Sequence, residues 1–209
     1  MDIWTVGQDA MAEFTEKKSV FRSYSFFVST EDDAAEKISY VQNLNNQATH
    51  NVYAYSLRAC GIQRFSDAGE PQGTAGMPVL KVIQMNGLLD TCIVVTRYFG
   101  GVLLGAGGLV RAYTRAAAMA VEASGKAKIV VAVTFCLEYG YDLHNLVIRF
   151  VESVGAQSVK QTFTDKVCLC AVLPEDSYIQ LKDELSTRFY SNMKITELQR
   201  GFARMHSPC

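Results

Sequence analysis

The chain has 209 residues, 49% of them hydrophobic and 20% charged, with a formal net charge of -1 at pH 7. That is enough apolar content for one large or two small cores, and the balanced charge excludes nucleic-acid binding through a bulk positive field, so any such binding has to be local. The first twenty residues are charged, no apolar run is long enough to span a bilayer, and the six cysteines at 60, 92, 136, 168, 170 and 209 show neither a CxxC pair nor zinc-type spacing; a cytoplasmic protein with free buried thiols, no membrane partner and no metal is expected.

Residues 11–29 alternate, with aromatic and β-branched residues concentrated from Val20 to Val28, which predicts two strands or one long bent one. Ser29-Thr30 before Glu31-Asp32-Asp33 is an N-cap followed by first-turn acids. A helix is expected over about 31–44, with Ala34, Ala35, Ile38, Val41 and Gln42 facing inward. His50-Asn51 leads into a strand at 52–57, after which a long polar loop runs from Gly61 to Gly73. Loops of that length in compact domains are functional or disordered. Pro78 suits the first turn of a helix that continues to about Met85 and is closed by Gly87.

A strand at 91–96 leads into the densest glycine run of the chain, Gly100, Gly101, Gly105, Gly107 and Gly108. A helix opens near Gly107, and its alanine-rich half, Ala116 to Ala123, is narrow enough to pack closely on a sheet. Ser124-Gly125-Lys126 reads as a linker, and beyond it the pattern restarts. A strand at 129–137, a helix at 142–154, strands at 157–163 and 167–173, a helix at 175–189 and a strand at 193–198 make the β-α-β-β-α-β order of a ferredoxin-like unit. The expected fold class is α/β (α+β), with an N-terminal domain over 1–126 that holds the glycine loop and a small ferredoxin-like domain over 127–209. The second domain has no glycine loop, basic patch or His/Cys cluster and reads as a docking module.

The chemistry concentrates in residues 67–121. Five glycines in nine positions, with Arg97 at a strand end before them and Arg111 and Arg115 on one helix face after them, form an anion-site pattern: bare backbone N–H groups and a helix start supply the field, and guanidiniums supply fixed charge. No Lys-Ser/Thr follows the last glycine and no acidic partner follows the next strand, so neither a Walker loop nor a dinucleotide fingerprint is present and no cofactor is expected. The glycines also fit a close crossing of strand and helix, with Gly107 and Gly108 admitting backbone contact. Arg97 equally fits a salt bridge to Asp67 or Glu70. Arg111, nearer the helix start, is the expected ligand and Arg115 the bystander.

His50, Asp67 and Glu70 can hold a divalent ion or act as acid and base only if the fold brings all three together. Ser66 and Thr74 lack a nucleophile-elbow context, which leaves Thr74 as a site-lining residue. Tyr53, Tyr55, Tyr98, Phe99 and Tyr113 offer stacking surfaces for single-stranded RNA, and Tyr98 and Phe99 are kept as candidates because strand tyrosines are commonly half-buried packing.

Gly69-Glu70-Pro71-Gln72-Gly73-Thr74-Ala75-Gly76 and Arg97-Tyr98-Phe99-Gly100-Gly101, continued by Gly105, Gly107-Gly108-Leu109-Val110-Arg111-Ala112-Tyr113, give the sequence a specific resemblance. It resembles the IMPACT family, bacterial YigZ-like branch, over roughly 15–125 for the N-terminal domain and 130–200 for the small C-terminal one. Lys17-Lys18-Ser19, Ala48-Thr49-His50-Asn51 and Tyr53-Ala54-Tyr55 fall where that family has similar residues. The resemblance implies an N-terminal domain of the ribosomal-protein and elongation-factor-G domain IV type, a ferredoxin-like C-terminal domain, and a role in translation like that of the eukaryotic relatives, which act through a protein partner. Two departures stand out: Ala68 takes the second acid of the usual Asp-Asp-Gly-Glu-Pro run, and Val20 stands where a basic residue is common.

The leading expectation is a non-enzymatic, translation-associated binding protein that meets RNA phosphate or a ribosomal surface through Arg97, Arg111 and the glycine loop, with Lys81 and Arg64 as outer charges. The alternatives are a small enzyme acting on a phosphorylated or carboxylated metabolite around His50, Asp67 and Glu70, and a docking regulator with an exposed apolar patch on the C-terminal domain.

Overall fold

Two antiparallel sheets organise the chain in the computed structural model, which describes residues 2–59, 61–188 and 193–205. The chain divides into two compact units, Met1–Lys128 and Ile129–Cys209.

In the first unit, β1 (Ile3–Val6), β2 (Ala10–Glu16), β3 (Ser19–Phe27), α1 (Glu31–Leu44), β4 (His50–Leu57), β5 (Ile62–Ser66), α2 (Gly76–Met85), β6 (Thr91–Tyr98) and α3 (Ala106–Ser124) follow in order. The main sheet runs β2-β3-β6-β4-β5. One face of it, with Phe21, Val52, Ala54, Ile93 and Val95, packs under α2 and α3; the other, with Tyr24, Phe26, Cys92 and Val94, packs on α1 through Ala34, Ile38 and Val41. The period of two along each strand is what feeds both cores at once.

Helix α1 starts where its local chemistry dictates. The Thr30 hydroxyl accepts from Asp33 N at 3.0 Å, and the Asp33 carboxylate accepts from Thr30 N at 3.0 Å and Ser29 N at 2.9 Å, a reciprocal cap. The Ser29 hydroxyl, donating to the same carboxylate at 2.7 Å, and then the backbone N–H of Ser29 hold the Asp33 carboxyl below its ordinary range. Ala35 and Gln42, expected inside, are exposed, because the stripe that meets the sheet is only three residues wide. The expected structureless stretch from Gly61 to Gly73 contains β5, an edge strand on β4 with mostly exposed side chains and therefore no hydrophobic alternation to announce it. Strand β1, at four residues too short to announce itself by periodicity, accepts from Leu89 N through the Trp4 carbonyl at 2.8 Å.

The expected linker is a single residue: α3 ends at Ser124 and β7 (Lys126–Tyr139) begins at Lys126, with Gly125 at φ 62° making the turn. In the second unit β7 continues to a 3-10 turn (Tyr141–Leu143), then α4 (His144–Ser153), β8 (Gln157–Phe163), β9 (Val167–Pro174), α5 (Glu175–Arg188) and β10 (Met193–Met205) follow. The expected β-α-β-β-α-β order is present, and β10 on β7, β7 on β9 and β9 on β8 give the interleaved strand order of the ferredoxin-like unit. Phe189, the expected end of α5, lies outside the described residues, and β10 reaches seven residues past the expected Leu198, to Met205.

The free-thiol expectation is corrected. Cys136 and Cys170 are directly opposed across β7 and β9 and are joined as a disulfide. Their partnership is set by strand register, which spacing along the chain does not reveal. Cys92 and Cys168 are free, and burial pushes the Cys92 thiol up to about 12; Cys60 and Cys209 lie outside the described residues.

Candidate functional site

The glycine-rich stretch bridges the end of β6 and the start of α3, and its glycines do different jobs. At Gly100 a Cβ would stand 2.0 Å from the backbone of Lys18, so the hairpin joining β2 and β3 crosses directly over it. Gly101 and Gly105 turn the loop at φ 80° and 71°. At Gly107 and Gly108, expected to be the close-approach glycines, an added Cβ would instead meet only side chains, Arg111 Nη1 at 3.7 Å and Leu104 at 3.1 Å. The backbone crossing falls seven residues before Gly107, at the end of the strand.

Arg97 is buried, 5% exposed, beneath this loop. Its Nη1 donates to Glu70 Oε1 at 2.7 Å and its Nη2 to Ser19 Oγ at 3.4 Å, and the guanidinium sits 5.6 Å from the Phe21 ring centre and 5.4 Å from that of Phe99. The same Glu70 oxygen accepts from the Tyr113 hydroxyl at 2.8 Å; burial first, and the Glu70 charge second, push the Tyr113 hydroxyl far up, so it keeps the proton it donates. The Arg97 charge is thus spent on Glu70 inside the domain, and Arg97 Nε is the one buried side-chain polar atom without a partner among the described residues.

Glu70 is delivered by two successive residues in the left-handed region, Ala68 at φ 47° and Gly69 at φ 89°. His50, opposite Arg97 in the β4–β6 register, has its Nδ1 2.9 Å from the Ala68 carbonyl. A carbonyl only accepts, so Nδ1 carries the proton and Nε2 faces Glu70 Oε1 at 3.9 Å. Asp67 does not join them. Its carboxylate accepts from Gly73 N, Ala75 N and Gly76 N at 2.8, 3.0 and 2.8 Å, capping α2, whose own N-cap residue Ala75 has no side-chain acceptor. The three-residue ion or acid–base arrangement of His50, Asp67 and Glu70 therefore does not form, because the helix start takes one of its carboxylates. Thr74 closes the same turn by donating to the Pro71 carbonyl at 2.6 Å.

Two clefts flank the start of α3 and share Leu104. The first, of about 390 Å³, is walled by Pro71, Phe99, Leu103 and Leu109 and has His50, Glu70 and Arg97 in its lining. The second, of about 250 Å³, is lined by Phe14, Glu16, Lys17, Gly108, Arg111 and Arg115. Arg115 lies 4.4 Å over the Phe14 ring and 3.9 Å from Glu16, whereas Arg111 has no ion pair among the described residues. Lys17 and Lys18 make the hairpin turn with φ 44° and 66°, a left-handed pair that usually calls for Asn-Gly. The sequence pattern points to the glycine loop and not to this hairpin tip, whose signal is two adjacent lysines at a strand–strand turn.

The remaining candidates lie elsewhere. Tyr98 follows Arg97 by one residue and so points to the other sheet face, where its hydroxyl donates to Asn45 at 2.8 Å and Arg22 covers its ring at 5.3 Å; it does not line the site. Phe99 is 46% exposed and does. Arg64 on β5 is 3.8 Å from Glu31, and Lys81 is exposed on α2.

Fold and site together define a two-unit α+β protein whose glycine loop is clamped between a buried Glu70–Arg97–Tyr113 cluster and a lysine hairpin. The Impact N-terminal domain profile matches residues 17–121. The chain is 31% identical over 188 residues to an IMPACT family member of Haemophilus influenzae, covering 88% of this chain and 91% of that protein. It is also 48% identical over 111 residues to IMPACT family member YvyE of Bacillus subtilis, a match that covers 53% of this chain and only about half, 51%, of the relative. A crystal structure of a hypothetical protein superposes over 95% of this chain and 98% of its own with a TM-score of 0.61 at 23% identity, a likeness of fold. The chain belongs to the IMPACT family, on its YigZ-like bacterial branch.

Proposed function

We propose that this protein is a non-enzymatic, translation-associated regulatory protein that meets RNA phosphate on the ribosome through the basic cleft beside the start of α3. The observation that carries the reading is the cleft's charge: Lys17, Arg111 and Arg115 oppose the single carboxylate of Glu16, and Arg111 has no competing ion pair among the described residues. Of the first turn of α3, which has no side-chain cap, Gly108 lines this cleft, so the positive end of the helix lies beside it. In this reading Arg97 positions the glycine loop and its charge does not reach the ligand. With few phosphates contacted, affinity is modest and falls with salt with a slope set by their small number.

The test is sedimentation of the purified protein with ribosomes and with separated subunits at several salt concentrations, beside a folded Lys17→Glu, Arg111→Glu variant. Wild type is expected to pellet with one particle and the variant to stay in the supernatant. Substituting Lys17 or Arg111 singly by alanine is expected to flatten the salt slope by about one. Equal pelleting of wild type and the double variant removes the cleft from the contact.

A second reading rests on the first cleft. An unencumbered His50 Nε2, 3.9 Å from Glu70 in a largely apolar recess, is what a small enzyme acting on a carboxylated or phosphorylated metabolite would use. Metabolite binding lost in His50→Ala but kept in Lys17→Glu, Arg111→Glu would favour it. The regulatory-partner alternative draws on the C-terminal unit, where Tyr141 and Phe163, both exposed, stack with ring centres 6.4 Å apart.

A further inference from the structure

We propose that Cys136, Cys168 and Cys170 form a three-thiolate site for a soft monovalent cation, Cu(I), which the Cys136–Cys170 disulfide closes and a dithiol reductant opens. The site is independent of the clefts of the first unit. Along β9, Val167, Leu169, Ala171 and Leu173 are buried in the core with Val147 and Val151 of α4 and Tyr178 and Leu181 of α5. Cys168 and Cys170 alternate with them and so share the face turned from that core, where they are half-buried. The β7–β9 register sets Cys136 opposite Cys170 on that same face.

The three sulfurs lie within 4.8 Å of one another, and Cys168 Sγ is 3.9 Å from Cys136 Sγ. Metal–thiolate bonds of about 2.3 Å at tetrahedral or trigonal angles place ligand sulfurs roughly 3.8–4.0 Å apart, so that separation already suits a shared cation. No fourth His, Cys, Asp or Glu joins the group among the described residues. Structural zinc takes four protein ligands, whereas soft thiolates select Cu(I), and three of them suffice for it. Lys160, paired with Cys170 from the other side in the β8–β9 register, supplies a cation beside the anionic complex.

Opening the site balances as thiol–disulfide exchange. One thiolate of the dithiol attacks a sulfur of the Cys136–Cys170 bond, which breaks with the electron pair leaving on the other cysteine. The second thiol of the reductant then resolves the mixed disulfide, so that the reductant departs as its own disulfide and the protein gains two thiols. Binding of Cu(I) to three thiols releases three protons. Reoxidation by a disulfide of higher potential removes two of the three ligands and expels the metal.

The experiment uses the full chain with Cys60→Ser and Cys209→Ser, reduced with a dithiol, freed of it under nitrogen and titrated with Cu(I) against a chromophoric Cu(I) chelator. One equivalent per chain is expected, with thiolate-to-copper charge-transfer absorption in the near ultraviolet and none in unreduced protein. Cys168→Ser, checked by far-ultraviolet circular dichroism, is expected to weaken binding by more than the roughly 10–100-fold that loss of an outer-shell partner costs. Failure of the reduced chain to take up one equivalent overturns the proposal. So does Cys168→Ser binding as tightly as its parent, or unreduced protein binding equally well.

Discussion

Arg97 and Arg111 stand on two sides of one helix start and live under opposite physical regimes. Arg97 is buried, paired with Glu70 and wedged between two aromatic rings; Arg111 is exposed and without an ion pair among the described residues. In the low-dielectric interior a guanidinium needs its carboxylate, and that need removes it from use by an outside anion. At the surface the same group is worth little to the fold and keeps its charge for a ligand. A cluster of arginines around a glycine loop thus divides into one whose charge is used inside the fold and one whose charge stays at the surface.

The sharpest way to break this division is to remove one half of the buried pair. Glu70→Ala leaves Arg97 buried without its charge partner and is expected to cost about 3–5 kcal/mol in urea denaturation, with Arg111→Ala within about 0.5 kcal/mol of wild type. Replacing both partners, Glu70→Leu with Arg97→Met, is expected to recover most of that loss; if it does not, the pair does more than cancel its own burial. Gly100→Ala comes next, at about 1–3 kcal/mol or more, because its methyl meets the Lys18 backbone, whereas Gly107→Ala, whose methyl makes only ordinary contact with Arg111 Nη1 at 3.7 Å, is expected to be neutral or stabilising. Asp67→Ala should cost about 0.5–2 kcal/mol through the start of α2 while leaving the proposed ribosome pelleting unchanged, which separates the capping acid from the basic cleft.

The smallest effect is a baseline outside both clefts. Asp33 titrates below its ordinary 3.8 in the folded chain, so its contribution to α1 is complete above that pH and is lost as pH falls through the folded value. Because the group lies near the surface, the loss is expected to stay below about 1 kcal/mol, read as a shallower acid limb in Asp33→Ala.

What could be read in advance was local. Helix α1 begins and ends where 31–44 was expected, since its cap and first-turn acids are consecutive residues. The ferredoxin-like order was legible because each element has its own periodic run. Asp67 and Glu70 read as a pair of acids three apart, yet one caps a helix and the other neutralises a buried arginine; only the left-handed turn at Ala68 and Gly69 separates them. Tyr98 was decidable, since a period of two places it opposite Arg97. Strand β5 was hidden because an exposed edge strand has no apolar face, and the cysteine pairing because register is a property of two strands and not of either alone.

The Ser19 hydroxyl is where the hairpin, the loop and the buried arginine meet, accepting from Gly100 N at 3.3 Å and from Arg97 Nη2 at 3.4 Å. The Gly100 amide proton is therefore an internal gauge of the clamp. It can trade with solvent deuterium only when its hydrogen bond to Ser19 opens, so its exchange rate measures how often the lysine hairpin lifts off the loop. In the proposed reading an anion held by Lys17 and Arg111 is expected to slow that exchange, which makes the Gly100 amide a residue-level readout of binding.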